Sequence, residues 1–227
     1  MARVKYTRRA DDTGWLAVLL YDTATLGFLC EFTAVEITKE TAERTFFRIA
    51  DGGGGHVGKV ASLRKQNAAK FLSDQGPGGP ASVRVKYGAR SKEVSPVKGE
   101  LDQQWAMADF SRSHARVTLN SEWTSGLYMP IPPGNHRIMA PDESHALQGA
   151  MGYRVVLGAL RCADVWFPIQ LEGIPGNSSR YIHCGHLSHG CVTVHELAKW
   201  NTIYDYLIAC RSPGTSGQFV GTLIVEK

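Results

Sequence analysis

The amino-acid sequence predicts a mainly β protein with few helices. Short runs of apolar and β-branched residues recur along the whole chain, and residues that favour turns separate them. Two such runs, at 15–22 and 26–37, flank a Thr-Ala-Thr turn and predict a β-hairpin. A strong helical pattern stands out once, at 195–210, where apolar residues recur every three or four positions. These three observations define the expected fold class.

The first 95 residues predict a β-rich region of unknown role. Within it, residues 44–51 indicate a further strand and residues 60–72 are compatible with a helix. Residues 73–82 then contain five Gly or Pro residues, which is typical of a long loop or a boundary. We expect the second domain, which carries the chemistry, to comprise residues 96–227.

The second half of the chain predicts further strands ahead of the single helix. Strand-like runs lie at 83–87, 116–120, 128–138, 152–158, 164–173, 179–184 and 221–227. The helix is expected to begin with a capping box formed by Thr193 and Glu196. Its apolar stripe consists of Leu197, Trp200, Tyr204, Leu207 and Ile208.

Composition and charge restrict the partners. The chain has 227 residues, 43% of them hydrophobic and 20% charged, as in ordinary globular proteins. Its net charge of +4 suits an anionic polymer without indicating nucleic acid. No segment approaches the roughly 18 consecutive apolar residues of a membrane span. The apolar patch near the N-terminus lacks a small-residue cleavage site, so we expect no signal peptide. The five cysteines are an odd number, which argues against a complete disulfide framework.

Residues 181–196, YIHCGHLSHGCVTVHE, hold four histidines and two cysteines. Two chemistries require such a set: a bound transition metal, or a thiol nucleophile with an imidazole base. A zinc-binding protein that uses the cluster at 183–195 is therefore one alternative. The spacing, however, shows neither paired C-x-x-C units nor a helical H-x-x-x-H. The pattern thus favours the thiol nucleophile.

Cys191 is the candidate nucleophile. A strand is expected to end near His183 and the helix to begin just after Cys191, where backbone N–H groups and the helix dipole would lower the pKa of a thiol. Gly190 would allow a substrate carbonyl to approach, and the backbone N–H groups around Gly190 and Cys191 would hold the oxyanion. A neighbouring histidine would accept the thiol proton and pass it to the leaving amine.

Two ordered groups of residues resemble a known family. The first group is Ile182, His183, Gly185, Ser188, His189, Gly190 and Cys191. The second lies upstream and comprises Pro130, Pro133, Gly134, His136 and Ile138. Together with the closing GTLIVEK, they make residues 125–227 similar to the L,D-transpeptidase (YkuD-like) catalytic domain family. The short interval between His183 and Cys191 is nearest to a compact branch of type VI secretion effectors.

The resemblance implies a YkuD-like β-sandwich and a reaction on peptidoglycan stem peptides. Cys191 would attack the diaminopimelate carbonyl and expel the terminal D-alanine. An amine would resolve the acyl-thioester in transpeptidation, and water would do so in carboxypeptidation. His183 would be the general base, oriented by the carbonyl of Cys184. His189 would line the oxyanion side and Ser188 would support the turn. The implied chemistry requires no metal or organic cofactor.

The resemblance also implies where substrate binds and where the protein acts. Candidate substrate-binding residues are Pro133, Gly134, His136, Arg137, Arg180 and His186, of which His186 is also the second candidate for the base. Thr193 stands where many family members have an arginine, so the substrate carboxylate needs another cation, for which Arg137, Arg161 and Arg180 are candidates. A wall substrate implies action in the periplasm or cell wall. A secretion apparatus and a cognate immunity protein are the expected partners.

A phosphate-binding loop and a non-catalytic cell-wall-binding module are the remaining interpretations. Residues 53–59, GGGHVGK, nearly match a phosphate-binding loop, but Val60 follows where that chemistry needs a hydroxyl for magnesium. We therefore expect a plain glycine loop. A wall-binding module would explain the strands but not a cysteine beside histidines. Substitution of Cys191 distinguishes such a module from an enzyme.

Overall fold

The structure is a computed structural model of the chain and describes residues 3–121, 129–145 and 150–227. Strands dominate it, which confirms the prediction of a mainly β protein. They form an N-terminal sheet of seven strands and a C-terminal closed barrel of eight. Ser125 and Tyr128, at the start of the region with the family resemblance, lie outside the described residues.

The N-terminal sheet is antiparallel throughout, in the order β3-β2-β6-β5-β4-β1-β7. Its strands are β1 (Arg3–Thr7), β2 (Trp15–Leu20), β3 (Leu26–Cys30), β4 (Ala34–Glu40), β5 (Arg44–Ile49), β6 (Val60–Arg64) and β7 (Leu72–Ser73). The predicted hairpin is present as β2 and β3. The glycine-rich loop joins the antiparallel strands β5 and β6, which is not the strand-to-helix setting of a phosphate loop.

The expected helix at 60–72 is shorter than predicted. Residues 60–64 form β6, and helix α1 covers only Lys65–Phe71. The strand forms because Ala61 and Leu63 alternate into a core that also contains Phe47 of the neighbouring β5. Tertiary packing therefore overrides the local helical pattern at the start of this segment.

The C-terminal strands close into one barrel in the order β10-β14-β13-β12-β11-β15-β8-β9, where the resemblance implied a two-sheet sandwich. Its strands are β8 (Ala81–Ser95), β9 (Gly99–Asp109), β10 (His114–Asn120), β11 (Gly134–Met139), β12 (Phe167–Gln170), β13 (Tyr181–Cys184), β14 (His189–Val194) and β15 (Phe219–Glu226). Closure follows because β9 pairs with both β8 and β10. The local sequence of β9 did not predict a strand.

The chain passes from the sheet to the barrel at residues 74–80, within the stretch rich in Gly and Pro. The boundary expected after residue 95 does not coincide with this change, because β8 (Ala81–Ser95) is a barrel strand. It pairs in parallel with the C-terminal β15, from Ala81 opposite Gly221 to Lys86 opposite Glu226.

In the second half, the described residues include two helices. Helix α2 (Ala150–Val156) replaces the strand expected at 152–158: it buries Tyr153 and leaves Val155 exposed, as a helix on the protein surface does. Helix α3 (Leu197–Ile208) buries the predicted apolar stripe in the barrel core. Among the described helices, none combines the length and apolar character needed to cross a membrane.

Buried polar contacts join the sheet to the barrel. Glu31 accepts hydrogen bonds from Arg9 at 3.2 Å and from the hydroxyl of Tyr204 at 3.1 Å. The guanidinium of Arg211 donates to the backbone carbonyl of Glu31 at 3.0 Å. Trp15 of β2 belongs to the same apolar core as the barrel residues. The sheet is therefore packed onto the barrel.

Candidate active site

The candidate site lies on two adjacent parallel strands, β13 and β14. His183 stands opposite Thr193, and Ile182 opposite Val192. Because side chains alternate along a strand, Ile182 and Val192 point into the barrel core, and His183 and Thr193 point to the other face. Cys191 precedes Thr193 by two residues and shares that face. The strand alternation thus brings the predicted nucleophile and base to one side of the sheet.

A very short connection joins these strands. Parallel neighbours usually need a crossover of a dozen residues or more, whereas β13 and β14 are linked by residues 185–188. Three buried polar side chains hold the backbone of this link with hydrogen bonds of 2.8 and 2.9 Å: Gln103, Ser121 and Tyr153. None of the three was singled out from the sequence, because their spacing along the chain carries no local signal.

Cys191 does not lie at a helix N-terminus, contrary to the prediction. It is a strand residue, and helix α3 begins only at Leu197. The expected capping box is also absent: Thr193 lies in β14, and the carboxylate of Glu196 accepts a hydrogen bond from the backbone N–H of Arg116 at 2.6 Å. Burial is therefore the main influence on the pKa of Cys191 and raises it to about 11. A hydrogen bond to the backbone of Tyr181 lowers this pKa in part.

The imidazole of His183 is held at both nitrogens. Its Nδ1 lies 3.0 Å from the carbonyl oxygen of Cys184, which accepts a hydrogen bond, so Nε2 accepts one from the Thr193 hydroxyl at 3.0 Å. Burial lowers the pKa of His183 to about 4. Within the described part of the chain, no hydrogen bond joins this ring to the thiol of Cys191. The resting pair is therefore a neutral thiol and a neutral imidazole.

Aromatic rings pack against the base. The indole of Trp166 stacks on His183 with a centroid distance of 4.2 Å and on His145 at 4.3 Å. His145 is buried, and neither of its ring nitrogens has a hydrogen-bond partner among the described residues. Sequence reasoning missed both Trp166 and His145. Trp166 lay within a strand-like run, and no motif marked either residue.

Gly190 has a different role from the one predicted. Its φ is +91°, a backbone conformation that favours glycine. The space that a Cβ would occupy is filled by the guanidinium of Arg180 and the carbonyl of Met129, so it is not open to a substrate. Nη1 of Arg180 also donates to the carbonyl of His189 at 3.1 Å. Because residue 190 has no side chain, the guanidinium of Arg180 can lie beside β14, the strand that contains Cys191.

A cavity of about 590 Å³ opens onto this face of the sheet. Its lining includes both the predicted nucleophile and the predicted base, together with aromatic and cationic side chains: Lys98, Trp166, Arg180, His183, His189 and Cys191. Cys191 itself is only 7% exposed, so the cavity is its route to solutes. A cavity of this size accommodates a small peptide segment.

The structure does not bring the upstream candidates to this cavity. His136 is buried and structural: its Nε2 is 2.8 Å from the carbonyl of Pro132, and its Nδ1 accepts from the backbone of Glu172 at 3.0 Å. Arg137 lies over the ring of Phe219. The cavity lining likewise lacks Pro133 and Gly134. A substrate-binding role for this segment has no support from the cavity geometry.

Of the other two arginine candidates, only Arg180 reaches the cavity. Arg161 pairs instead with Asp205 at 3.1 Å. Ser188 supports the turn, since its hydroxyl donates to the carbonyl of Cys191 at 3.0 Å.

His186 turns away from His183 and packs under the β8–β9 hairpin. Its Nδ1 lies 2.8 Å from the hydroxyl of Ser95, and its ring stacks on His195 at 4.0 Å. Two imidazoles stacked face to face do not direct their nitrogens to one point. Across the described residues, no three His, Cys, Asp or Glu side chains are grouped as metal ligands. The geometry therefore does not favour the zinc alternative.

Comparison of the chain with protein-family models, curated proteins and solved structures finds no match.

Proposed function

We propose that this protein is a cysteine-dependent acyltransferase or peptidase that acts on peptidoglycan stem peptides, in the manner of the L,D-transpeptidases. The observation that carries the proposal is the placement of Cys191 and His183 on one face of two adjacent parallel strands, at the wall of a common cavity. Four of the residues that resemble the family's nucleophile segment line this cavity: His183, Gly185, His189 and Cys191. A non-catalytic binding module would not require this arrangement.

The proposed reaction begins from the neutral pair. As Sγ of Cys191 attacks the carbonyl carbon, its proton moves to Nε2 of His183, a C–S bond forms and the carbonyl oxygen becomes an oxyanion. Collapse of this intermediate breaks the C–N bond, and His183 returns the proton to the departing amine. Before the first step, Nε2 must exchange the hydroxyl of Thr193 for the thiol.

Burial of the pair sets a requirement for substrate. With pKa values of about 11 for Cys191 and about 4 for His183, proton transfer between the free groups is strongly unfavourable. A bound carbonyl makes the transfer favourable only as the C–S bond forms. The thiol of Cys191 should therefore react slowly in the absence of an acyl donor, and this protects the thiol from side reactions.

The direct test is incubation with tetrapeptide muropeptides, followed by mass spectrometry of both protein and products. We expect an acyl adduct on Cys191 that equals the muropeptide less D-alanine, and either a cross-linked or a shortened product. Cys191→Ala should give neither, and His183→Ala should slow adduct formation by about 10²-fold or more, as loss of a general base does. A muropeptide that binds without an adduct would favour the wall-binding module.

We also propose that the reaction takes place in the periplasm or cell wall, with delivery by a secretion apparatus and protection of the producing cell by a cognate immunity protein. Production of the chain in the bacterial cytoplasm should be harmless, and its fusion to a periplasmic signal should slow growth. The Cys191→Ala form should be harmless in both compartments. Equal toxicity from the cytoplasm would contradict the substrate assignment.

A further inference from the structure

The N-terminal sheet has a buried side and an outer face. Leu16, Phe47 and Ala61 belong to the core on its buried side. Because side chains alternate along a strand, the residues between such core positions form the outer face. At one end of this face, Trp15 and Cys30 pack against the barrel. The rest of the outer face on β2, β3, β5 and β6 consists of Ala17, Leu19, Leu26, Phe28, Arg44, Phe46, Arg48, Val60, Ser62 and Arg64.

Large apolar side chains are exposed where the β2–β3 hairpin meets the outer face. Tyr21, just after β2, is 70% exposed, Leu26 is 62% exposed and Phe28 is 48% exposed. The ring of Tyr21 packs edge-on against Phe46 with a centroid distance of 6.5 Å, which connects the hairpin to β5. Exposed apolar side chains that are grouped in this way mark a surface that contacts a partner.

Cations occupy the adjoining part of the outer face. Arg44 and Arg64 stand directly opposite each other on β5 and β6, and Arg48 lies further along β5, opposite Val60. Like charges in directly opposite positions destabilise a sheet. Across the residues that the structure describes, no ion pair with a carboxylate involves any of these three arginines. The arrangement therefore favours an anionic partner.

The charge of the outer face argues against a second copy of the chain as that partner. Lys39 of β4 pairs with Phe46 and adds a further cation, while Glu36 stands opposite Arg48 and adds an acid. Cations still outnumber acids, so two such faces would repel each other. A lipid bilayer with anionic headgroups would attract the cations and accept the apolar side chains, since Tyr and the long cationic side chains are favoured at the membrane–water interface.

We propose that the outer face of the N-terminal sheet binds the surface of an anionic lipid bilayer. Leu26, Phe28 and the ring of Tyr21 enter the headgroup region, and the arginines contact lipid phosphates. The inference goes beyond the proposed function and does not depend on it, because the described lining of the cavity beside Cys191 contains no residue of this sheet.

The test is co-sedimentation of the whole chain with two kinds of vesicle: phosphatidylcholine alone, and phosphatidylcholine in which about a third of the lipid is phosphatidylglycerol. We expect at least about tenfold stronger binding to the anionic vesicles, because each cation near an anionic surface contributes about fivefold. Added salt should weaken this binding. The double variant Arg48→Gln/Arg64→Gln should lose about tenfold or more in binding to anionic vesicles. Leu26→Ser/Phe28→Ser should weaken binding to both kinds of vesicle.

Two matched controls lie outside the outer face. Arg84→Gln changes the net charge in the same direction, but Arg84 lies on β8 and pairs with Glu226. Val155→Ser removes an apolar side chain that is 88% exposed on α2. Both variants should bind like the unaltered protein. An environment-sensitive fluorophore attached at Leu26→Cys should shift its emission to shorter wavelength on anionic vesicles, whereas the same label at Val155→Cys should not.

Equal binding to the two kinds of vesicle would overturn the inference, and so would unchanged binding in Arg48→Gln/Arg64→Gln. A single-stranded oligonucleotide of about 20 nucleotides tests the competing partner, because arginines beside aromatic rings also suit nucleic acid. Tighter binding of the oligonucleotide than of anionic vesicles, retained in Leu26→Ser/Phe28→Ser, would assign the face to nucleic acid and overturn the lipid proposal. Should a double variant fold poorly, the label at residue 26 decides: emission that stays as in water contradicts the proposal.

Discussion

The hydroxyl of Thr193 lies 3.0 Å from Nε2 of His183, the nitrogen that the proposed reaction needs as a base. Both residues are buried, and they stand directly opposite each other on the parallel strands β13 and β14. The register of these strands therefore places a competing hydrogen-bond donor on the base. In the absence of substrate, the contact stabilises the neutral imidazole and keeps it from the thiol.

Replacement of Thr193 by Val should expose this competition. The substitution keeps the shape of the side chain but removes the hydroxyl, so the buried Nε2 of His183 loses its hydrogen-bond partner. The free energy of unfolding should therefore fall by about 1–3 kcal/mol. Acylation of Cys191 should become faster, because Nε2 no longer has to exchange partners. Denaturant titration and the rate of adduct formation measure the two effects.

Thr118→Val is the control for this prediction. Thr118 pairs with Thr193 from the other side, in β10, and its hydroxyl donates to Gln103 at 2.6 Å. Its loss should cost similar stability and leave the acylation rate unchanged. Slower acylation in Thr193→Val would instead assign Thr193 the task of orienting the ring.

Gly190→Ala should lower both stability and acylation. A Cβ there would collide with the guanidinium of Arg180 and the carbonyl of Met129, and the φ of +91° is unfavourable for alanine. Backbone strain alone costs about 1–3 kcal/mol. In thermal melts, the double variant with Arg180→Ala should recover part of the lost stability. Gly158→Ala, with open space around it, should behave like the unaltered protein.

The sequence was sufficient to predict the fold class and to single out His183 and Cys191, which the structure brings to one cavity. Alternation in residues 181–184 and the order of His183 and Cys191 depend on local spacing, which a strand converts directly into a shared face. Predictions from local spacing were wrong where strand pairing with distant parts of the chain determines the secondary structure. Thr193 and Glu196 satisfied a capping-box pattern, yet β14 pairs with strands on both sides and continues to Val194.

The remaining site residues could not be found from local patterns. Trp166 and Lys98 reach the cavity only because the barrel closes, and closure depends on pairings such as β8 with β15, far apart in the chain. Arg180 was one of three arginine candidates, and only the three-dimensional position over Gly190 separates it from the other two. Single positions of this kind carry no periodic signal.

Alkylation of the cysteines should follow burial. A thiol at a helix N-terminus would be reactive, but Cys191 is a buried strand residue with a pKa of about 11. Cys210 is the most exposed of the five free thiols. Iodoacetamide at neutral pH should therefore modify Cys210 first, with Cys191 following slowly and faster as the pH rises. Peptide mapping at several times gives the order, and rapid labelling of Cys191 at pH 7 would contradict the buried, protonated thiol.

The stability of the fold should decrease in mild acid. Burial lowers the pKa of both His183 and His195 from 6.5 to about 4. In the unfolded chain these rings take up protons near pH 6.5, whereas in the folded protein they do so only near pH 4. The unfolded state therefore binds more protons between these values, and the free energy of unfolding falls as the pH is lowered from 6.5 to 4.

The size of this effect and its origin can be measured with guanidinium titrations between pH 4 and 7. Each ring contributes a slope of up to about 1.4 kcal/mol per pH unit, and burial of His56 and His186 adds to it with the same sign. His183→Asn should reduce the slope by up to about 1.4 kcal/mol per pH unit, because one proton fewer is taken up on unfolding. An unchanged slope in His183→Asn would mean that His183 is already accessible to protons in the folded protein. The same pKa places the acid limb of the acylation rate near pH 4, because the base must be neutral to accept the thiol proton.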